Sequence, residues 1–486
     1  MTHKDVLEPA LIALDVGSTA SRGILVDPTG RQVGKRVKVP HAFTSASDGT
    51  STIDPDQVAD EIATILDGLT EATETNLAAV AMDTFASSLI GVDEHGNALT
   101  PCYTYADGRC AAWVTRLREE LDEHKLQQRT GTRLHSSYLA PRLLWLRDTA
   151  PEVFGRVSRW LSLGEYVQLK LFGATACGTP TAAWTGMLDR LTGHWDAELL
   201  MVAGVPEEAF SPIQDPGVPI AGADASRWPR LAGAAVLPTI ADGLGANFGI
   251  GAGDGVSAGL SASTSGAVRV VVDNAAALEL PGGLWGYRID AGRSLLGGAI
   301  NDVGRVVDWC RTTLQLGDLG KQEALLIADP SPHTPVMLPF LTGERSTGWA
   351  AGATATFAGV TASTTAADLF RGAAEGIAIS YARIVEQLLA TAPGIGRVVA
   401  TGGVGQDLPH LLQIIADVVG RPLEFVNIRR STVLGTALLA LESVAPEVER
   451  APVPTAGSFE PRPAFTEHYH DVRRRFEEIY PVAVGG

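Results

Sequence analysis

A short strand-turn-strand pattern occurs twice in the chain, and it constrains the fold more than any other feature. The first copy, GSTASRGILVD, covers Gly17–Asp27, and the second, SASTSGAVRVVVD, covers Ser261–Asp273. Both contain Ser-Thr, further small residues, an arginine, three apolar residues and an aspartate. Apolar runs bounded by turn residues predict paired β-strands. A duplicated α/β domain explains this recurrence better than chance does.

The residues around each copy extend the repeat. Residues 10–40 have the pattern of a three-stranded antiparallel meander, and the runs GLWGYRID and GRSLLGGAIN after the second copy predict two more strands. A long amphipathic helix is predicted over Ala366–Leu389. Since single domains rarely exceed roughly 250 residues, a chain of 486 residues is expected to contain at least two. We place an N-terminal domain at residues 1–250, a C-terminal domain at 251–447 and a proline-rich tail at 448–486.

Composition argues against several classes of partner. The net charge of −17 disfavours nucleic acid, because proteins that bind it usually carry a basic face. The first residues lack the apolar run of a signal peptide, and the charge-poor stretch Leu231–Leu260 contains Asp242 and Asp254, so no membrane partner is expected. Four cysteines without a CxxC pair predict structural thiols in a reducing cytoplasm. The sequence leaves a homodimer open.

The two turns have the residue types of an anion-binding site. Backbone N–H groups in a small-residue turn can surround an anion, the hydroxyls of Ser18, Thr19 and Thr264 add donors, and Arg22 can neutralise phosphate charge. Asp15 ends the first strand, where packing gains nothing from a carboxylate, and is a candidate ligand for Mg²⁺. The alternative is two ordinary hairpin turns whose hydroxyls bond to nearby backbone. The absence of a GxxxxGK[ST] motif argues against a P-loop kinase.

A third glycine-rich turn lies in the C-terminal half. The segment Arg397–Val426 reads as a strand, a TGGVG loop, an amphipathic helix, a turn and a strand. A glycine pair before a helix leaves room for the face of a base and presents the helix N-terminus to it. Gly402, Gly403 and the nearby Asp407 are therefore candidates for nucleotide contacts. Such turns also simply connect strands to helices.

Taken together, these motifs resemble the FGGY carbohydrate kinases, within the actin/hexokinase/Hsp70-like ATPase superfamily. The similarity runs from about Leu11 to Ser443 and rests on LDVGSTASRG, STSGAVR, GGVGQDLPHLLQIIADVVGRPLEFV and STVLGTALLAL. It implies an α/β fold of two duplicated RNase H-like domains around a central cleft. It also implies ATP, Mg²⁺ and a carbohydrate as ligands, with phosphoryl transfer as the reaction.

Within the family the chain is most similar to gluconokinases. The motifs that carry this similarity include SLIGVDEHGNALTP, TYADGR, ADGLGANFGIGA, GGAINDVGRVVDW and LPFLTGERSTGW. Several of them are shared with xylulokinases. The implied reaction is phosphorylation of D-gluconate to 6-phosphogluconate. The alternatives are xylulose, ribulose or a polyol such as erythritol as substrate, and a non-catalytic sugar-sensing member of the fold.

Asp242 is the expected catalytic base. A sugar hydroxyl is a poor nucleophile near neutral pH, and a carboxylate within hydrogen-bond reach can accept its proton. By resemblance, ADGLGANFGIGA places this base at Asp242, where it also contacts the substrate. The competing interpretation is that Asp242 only serves as the N-cap of a glycine-rich helix. The other acid nearby, Asp254, is expected in the turn before the second phosphate-binding strand.

Residues on the sugar side are less constrained by pattern. Ser87 stands where many relatives carry histidine, which weakens the xylulokinase interpretation. Asp107 is followed closely by Arg109, so it either binds substrate or forms a structural ion pair. The candidates for contact with substrate hydroxyls are Asp83, Thr84, Ser87, Asp107 and Tyr138.

Two further positions depart from the family pattern. Ser263 replaces a glycine that is usual before Thr-Ser, so the second turn must avoid positive φ there or accept strain. Asp302 occupies a position where glycine is more common, and the sequence assigns it no role.

Overall fold

Two large mixed β-sheets organise the computed structural model, which describes residues 8–273, 278–428 and 431–484. The N-terminal half contains strands β1 (Leu11–Val16), β2 (Ala20–Val26), β3 (Gln32–Pro40), β4 (Thr44–Ser45), β5 (Ser51–Ile53), β6 (Ala79–Thr84), β7 (Ile90–Val92), β8 (Cys102–Tyr103), β9 (Arg159–Leu161), β10 (Cys177–Gly178), β11 (Ile213–Gln214), β12 (Ala235–Val236) and β13 (Ile240–Ala241). The C-terminal half contains strands β14 (Ser257–Ala262), β15 (Gly266–Asp273), β16 (Trp285–Arg288), β17 (Arg293–Ile300), β18 (Val336–Leu338), β19 (Thr356–Ala358), β20 (Arg397–Thr401), β21 (Leu423–Phe425) and β22 (Gly457–Phe459).

Helices cover the faces of these sheets. Those before the second sheet are α1 (Pro55–Glu71), α2 (Ala111–Glu120), α3 (Glu123–Thr130), α4 (Leu139–Thr149), α5 (Pro151–Phe154), α6 (Leu163–Phe172), α7 (Thr179–Trp184), α8 (Ala197–Ala203) and α9 (Asp242–Gly249). The later ones are α10 (Gly304–Thr313), α11 (Leu319–Ile327), α12 (Ala366–Thr391), α13 (Gly403–Asp407), α14 (Pro409–Val419), α15 (Ser431–Val444) and α16 (Thr466–Val484). Within the described ranges, no helix has the length and apolar character needed to cross a membrane.

The two sheets repeat one topology. The order in the first is β12-β6-β1-β2-β3, and in the second it is β16-β17-β15-β14-β20-β21-β22. Each contains an antiparallel hairpin, β1–β2 or β14–β15, whose first strand also pairs in parallel with a later strand, β6 or β20. In both sheets the second hairpin strand pairs with a further antiparallel strand, β3 or β17. The predicted duplication, the meander over residues 10–40 and the two strands after the second copy are confirmed.

The first sheet is covered on both faces by helices from different parts of the chain. Side chains alternate between the faces of a strand, so Ile12 and Leu14 of β1 pack with α1, while Leu11 and Ala13 face the opposite way. On that opposite face they pack with α15, through residues that include Ala437. The first sheet is therefore completed by a helix that comes after all but the last strand of the second sheet in sequence.

Helix α9 lies unusually close to α15. A Cβ added to Gly249 would lie 1.8 Å from the carbonyl oxygen of Ser431, and one added to Gly435 would lie 1.8 Å from that of Gly245. No larger side chain fits at either position, since real Cβ contacts do not occur below about 3 Å. The glycine-rich composition of ADGLGANFGIGA thus reflects close helix packing, which fixes the position of Asp242 at the start of α9.

An aromatic contact joins the two halves beside α9. The rings of Trp184, at the end of α7, and Tyr287, in β16, stack with centroids 3.8 Å apart. The hydroxyl groups of Tyr287 and Tyr138 form a hydrogen bond of 2.7 Å. These side chains are buried in one apolar cluster that draws on both halves of the chain. The contact holds the second sheet against the N-terminal helices at the floor of the cleft.

The C-terminal tail packs on the second half. Its strand β22 extends the second sheet by pairing with β21. The final amphipathic helix, predicted from the sequence over about His468–Ile479, covers Thr466–Val484 as α16. Phe476 on this helix is fully buried in a cluster with β18 and α12.

Candidate active site

Three carboxyl groups lie together where strands of the first sheet end. Asp15 in β1 is the register partner of Asp83 in the parallel strand β6. On the other side, β13 pairs with the end of β6 and leads directly into Asp242. Ligand sites of open α/β sheets lie at the carboxyl ends of their parallel strands. This edge of the sheet is therefore the candidate active site.

Asp242 is the first residue of α9, and its N-cap is Ala241. The suggestion that Asp242 is itself the N-cap is wrong: its Oδ1 accepts a hydrogen bond of 2.8 Å from Gly243 N–H, and the cap residue carries no side-chain cap bond. Burial and the charge of Asp15 raise the pKa of Asp242 to about 6, against the opposing effects of the Gly243 N–H and Arg269. The residue as a whole is partly exposed.

Asp15 and Arg22 form an ion pair across the first hairpin. Nη1 of Arg22 donates to Oδ2 of Asp15 at 2.7 Å, and both side chains are largely buried. Gly17 lies against this pair, since a Cβ there would come 3.1 Å from Nη1 of Arg22. Ser18 and Thr19 are exposed at the tip of the turn. The hydroxyls predicted to meet phosphate are thus accessible, while the predicted phosphate-binding arginine is bound to the predicted metal ligand.

A buried histidine supports this turn, and the sequence analysis missed it. His41 Nε2 lies 2.8 Å from the carbonyl oxygen of Gly17, and Nδ1 lies 2.8 Å from Glu61, which also accepts from Ser21. Both ring nitrogens face acceptors, so both are protonated. Burial favours neutral imidazole, but the bonds to Glu61 and Gly17 prevail and raise the pKa of His41. No local motif predicts this role of His41, because its partner Glu61 lies 20 residues later in the chain, in α1.

The second turn is held by the start of helix α10. Backbone N–H groups of Val303 and Gly304 donate to the carbonyls of Thr264 and Ser263 at 3.2 and 2.9 Å. Ser263 is not among the described non-glycine residues with positive φ, so the loop avoids the strain considered for a serine there. Thr264 is exposed at the tip of the turn, as Thr19 is in the first copy.

Three of the four predicted nucleotide residues of the C-terminal half line one cavity of about 430 Å³, and the fourth, Gly402, directly precedes Gly403 in the chain. Thr264 lies on one wall, and Gly403 and Asp407 lie on another. Gly402 has φ of 120°, and a Cβ there would lie 2.1 Å from the carbonyl oxygen of Ala262. Only glycine lets the third turn come this close to β14. The structure therefore brings the second and third glycine-rich turns together around a space of the size that small ligands occupy.

The predicted sugar residues at the end of β6 are buried. Asp83 is fully buried and accepts a 2.6 Å hydrogen bond from the Thr436 hydroxyl of α15. Thr84 is 2% exposed. The hydroxyl of Ser87 donates to the backbone carbonyl of Trp184 at 2.6 Å. In this conformation Asp83 and Ser87 form hydrogen bonds within the protein and do not face open space.

Two other predicted sugar residues are also bonded to protein groups. Asp107 accepts hydrogen bonds from Ser51 N–H at 3.0 Å and from Arg109 Nη2 at 2.6 Å, so the structural ion pair considered for it is formed. Tyr138 is bonded to Tyr287, as described for the contact between the halves.

Asp302, which the sequence left without a role, closes a loop. Its carboxylate accepts from Thr342 N–H at 2.7 Å and from the Thr342 hydroxyl at 2.9 Å. It is 1% exposed. This acid fastens the loop after β18 to the end of β17.

The predicted position of the other unassigned acid, Asp254, is as expected, because it accepts from Ser257 N–H in the turn before β14.

Comparison with known proteins shows the family. Residues 10–245 match the FGGY family of carbohydrate kinases, N-terminal domain, and residues 258–443 match its C-terminal domain. A gluconokinase of Bacillus subtilis (strain 168) is 24% identical over 89% of this chain and 87% of its own. A xylulose kinase of Escherichia coli (strain K12) is 25% identical over 96% of this chain and 98% of its own.

Solved structures agree with this assignment. A gluconate kinase from Lactobacillus acidophilus superimposes with a TM-score of 0.89 at 25% identity, over 97% of both chains. A xylulose kinase from the same organism gives 0.89 at 25% identity, over 97% of this chain and 98% of its own. The predicted fold of two duplicated RNase H-like domains is confirmed. The chain belongs to the FGGY family of carbohydrate kinases and is a phosphotransferase.

Proposed function

We propose that this kinase transfers the terminal phosphoryl group of ATP to the terminal hydroxyl of D-gluconate, giving 6-phosphogluconate. Two similar proteins, each covered over 87% or more of its length, are named for gluconate. The observation that carries the proposal is the position of Asp242: a carboxyl group with raised pKa, on a partly exposed residue, beside the ends of β1 and β6.

Asp242 acts as the general base in this proposal. A base is most effective when its pKa lies close to the working pH while it remains ionised. With a pKa of about 6, Asp242 is mostly ionised at pH 7 and is more basic than an exposed aspartate. It accepts the proton of the attacking hydroxyl as the new P–O bond forms. Fixed packing of α9 on α15 keeps this carboxylate in place during the reaction.

The three glycine-rich turns bind the nucleotide. The exposed hydroxyls of Ser18, Thr19 and Thr264 and the N–H groups of their turns face the phosphates. Gly403 and Asp407 line the space for adenosine, and Gly402 directly before them shapes the turn. Catalysis of phosphoryl transfer rests mainly on positioning and on stabilising charge, which is what this arrangement supplies. Arg22 pairs with Asp15 through Nη1, which leaves its other N–H groups for the phosphates.

The acids at the strand ends fit a magnesium ion carried with the nucleotide. Magnesium usually keeps several waters and uses one or two protein carboxylates plus substrate phosphates. Asp15 has one oxygen bonded to Arg22, so its other oxygen can serve as a ligand directly or through water. Among the described residues no group of three acidic, histidine or cysteine side chains forms a complete metal site. When bound, Mg²⁺ would neutralise negative charge on the phosphates.

A coupled assay of ADP release tests the proposal. Purified protein is supplied with ATP and Mg²⁺ and with D-gluconate, D-xylulose, D-ribulose, glycerol or erythritol in turn. We expect the highest kcat/KM with D-gluconate. Preference for xylulose would favour the second candidate, since a xylulose kinase superimposes equally well. No ADP release with any acceptor would favour a non-catalytic sensor.

The base assignment needs a matched pair of variants. Asp242→Asn removes the proposed base, while Asp254→Asn changes an acid that bonds only to its own turn and to Arg397. We expect Asp242→Asn to lose activity and Asp254→Asn to retain it. Equal activity of Asp242→Asn and the parent would overturn the role of Asp242.

A further inference from the structure

Two neighbouring arginines, Arg269 and Arg345, have no carboxylate partner, and Arg269 lies beside Asp242. Arg269 extends from β15 toward the start of α9, where a Cβ on Gly243 would lie 3.8 Å from both its Nε and its Nη2. Arg345 lies with its guanidinium carbon 5.8 Å from the ring centre of Trp349, and its Nε is buried without a hydrogen-bond partner. Neither side chain forms an ion pair within the described parts of the chain.

Other largely buried arginines are bonded to protein acceptors: Arg142 donates to the backbone carbonyls of Ser87 and Ser136, and several others donate to carboxylates. Arg22 donates to Asp15 at 2.7 Å, Arg371 to Glu375 at 2.8 Å and Arg383 to Glu344 at 2.9 Å. A guanidinium removed from water is costly when its N–H groups have no acceptors, and no hydrogen bond or ion pair of Arg269 is found among the described residues. Burial lowers the pKa of Arg269, and the nearby Asp242 partly opposes this effect. An unmatched cation at the floor of a cleft indicates that an anion arrives with a ligand.

The strand that carries Arg269 is held in place by a stack of aromatic side chains. In the sheet, Arg269 is the register partner of Gly297 in β17, and Gly297 is the register partner of Trp285 in β16. Trp285 stacks on Tyr287 with centroids 4.5 Å apart, and Tyr287 stacks on Trp184. These buried rings form a rigid aromatic layer that begins at Gly243, where a Cβ would lie 3.3 Å from Trp184, and that packs on the sheet that carries Arg269.

We propose that Arg269 binds the carboxylate of an acyclic sugar acid whose far end presents its terminal hydroxyl to Asp242, with Arg345 as a second positive charge. This inference rests on the proposed function and names the group that selects its substrate. A guanidinium presents two parallel N–H donors that match a carboxylate. A neutral ketose or polyol would leave Arg269 unmatched and would bind less tightly.

The same guanidinium could instead meet the phosphoryl group of ATP, so the experiment separates the two anions. Arg269→Met is compared with the parent for the KM of D-gluconate, the KM of ATP and the inhibition constant of D-glucitol. D-Glucitol has the same carbon chain with a hydroxymethyl group in place of the carboxylate. Arg288→Met is the matched control, because Arg288 lies on the same sheet and donates to the backbone carbonyl of Arg190.

We expect Arg269→Met to raise the KM of D-gluconate about 100-fold, the range for a lost charged hydrogen-bond pair. The KM of ATP and the inhibition constant of D-glucitol should stay within about twofold, as should all three values for the control. A conservative Arg269→Lys variant, which keeps charge and loses the paired donors, should give an intermediate loss. Calorimetric titration of each variant with D-gluconate, without nucleotide, gives the same ranking independently of turnover.

Three outcomes overturn the inference. A rise in the KM of ATP equal to that for D-gluconate assigns Arg269 to the phosphoryl group. Equal weakening of D-gluconate and D-glucitol assigns it to general packing of the site. Phosphorylation of a neutral sugar in preference to D-gluconate by the parent refutes the carboxylate while leaving the kinase reaction intact. Failure of the parent with every acceptor, by contrast, is a failure of the proposed function itself.

Discussion

Asp15 and Asp83 stand opposite each other on the adjacent parallel strands β1 and β6. Asp83 is fully buried, one of its oxygens accepts from Thr436, and the other has no partner if both acids are ionised. Burial, and then the charge of Asp15, raise the pKa of Asp83 well above its ordinary value. A protonated Asp83 that donates to Asp15 satisfies both groups. The pair then carries one negative charge at the end of the sheet.

This arrangement predicts that Asp83→Asn is tolerated. An asparagine amide can donate to Asp15 and accept from Thr436, so we expect kcat/KM within about threefold of the parent and no loss of stability. Asp83→Leu leaves the Thr436 hydroxyl without its acceptor and should lower the free energy of unfolding by about 1–3 kcal/mol. Thermal unfolding and steady-state kinetics measure both. A folded but inactive Asp83→Asn protein would show that an ionised Asp83 takes part in the reaction.

The raised pKa of Asp242 predicts the pH dependence of the reaction. The base must be ionised, so kcat/KM should rise with pH up to the pKa of about 6 and level off above it. Asp242→Asn should reduce kcat by a factor of about 10²–10⁴ and abolish this ascending limb. Rates measured from pH 5 to 8 at saturating ATP test the expectation. An ascending limb that persists in the variant would belong to another group.

Asp242 should also destabilise the folded protein when it is ionised. An acid whose pKa is higher in the folded state than in the unfolded state lowers the free energy of unfolding when it is ionised. This cost is absent below the unfolded pKa, grows between the two pKa values and is complete above the folded pKa. A rise from 3.8 to about 6 corresponds to at most about 3 kcal/mol. Asp242→Asn should therefore unfold at higher urea concentration than the parent at pH 8, with a difference that fades near pH 4. A difference independent of pH would exclude this cause.

Short-range patterns were sufficient to predict the architecture. Each hairpin turn is encoded within about ten residues, so GSTASRGILVD and its second copy could be found by comparison of the chain with itself. The packing of α15 on the first sheet could not be found in this way. Ala437 and Leu11 belong to one apolar cluster although more than 400 residues separate them in sequence. The apolar pattern of α15 does not indicate which sheet the helix will cover.

The same distinction separates the nucleotide side of the site from the sugar side. Gly402 is recognisable because its backbone, with φ of 120°, needs glycine locally. Ser87 looks like a free polar residue in sequence, yet its hydroxyl bonds to the carbonyl of Trp184, which lies 97 positions later. Arg269 could not be predicted for the same reason, because only the three-dimensional positions of the surrounding acids show that its charge has no partner.

The support of the first turn by His41 predicts an effect on nucleotide binding. His41→Ala removes the donor to the Gly17 carbonyl and the partner of Glu61, so we expect the KM of ATP to rise about tenfold while the KM of the sugar is unchanged. Because the pKa of His41 is raised, its stabilising effect is complete below 6.5 and is lost as the pH rises through the folded pKa. An unchanged KM of ATP would show that His41 contributes to the stability of the fold and not to nucleotide binding.

The adjacent glycines of the third turn should respond in opposite ways. A Cβ on Gly402 meets the Ala262 carbonyl at 2.1 Å, in backbone with φ of 120°, so Gly402→Ala should lower the free energy of unfolding by about 2 kcal/mol or more. A Cβ on Gly403 meets nothing within 4 Å. Gly403→Ala should therefore keep the parent's melting temperature yet raise the KM of ATP, because the methyl group enters the space assigned to adenosine. A normal KM of ATP in Gly403→Ala would place the nucleotide elsewhere.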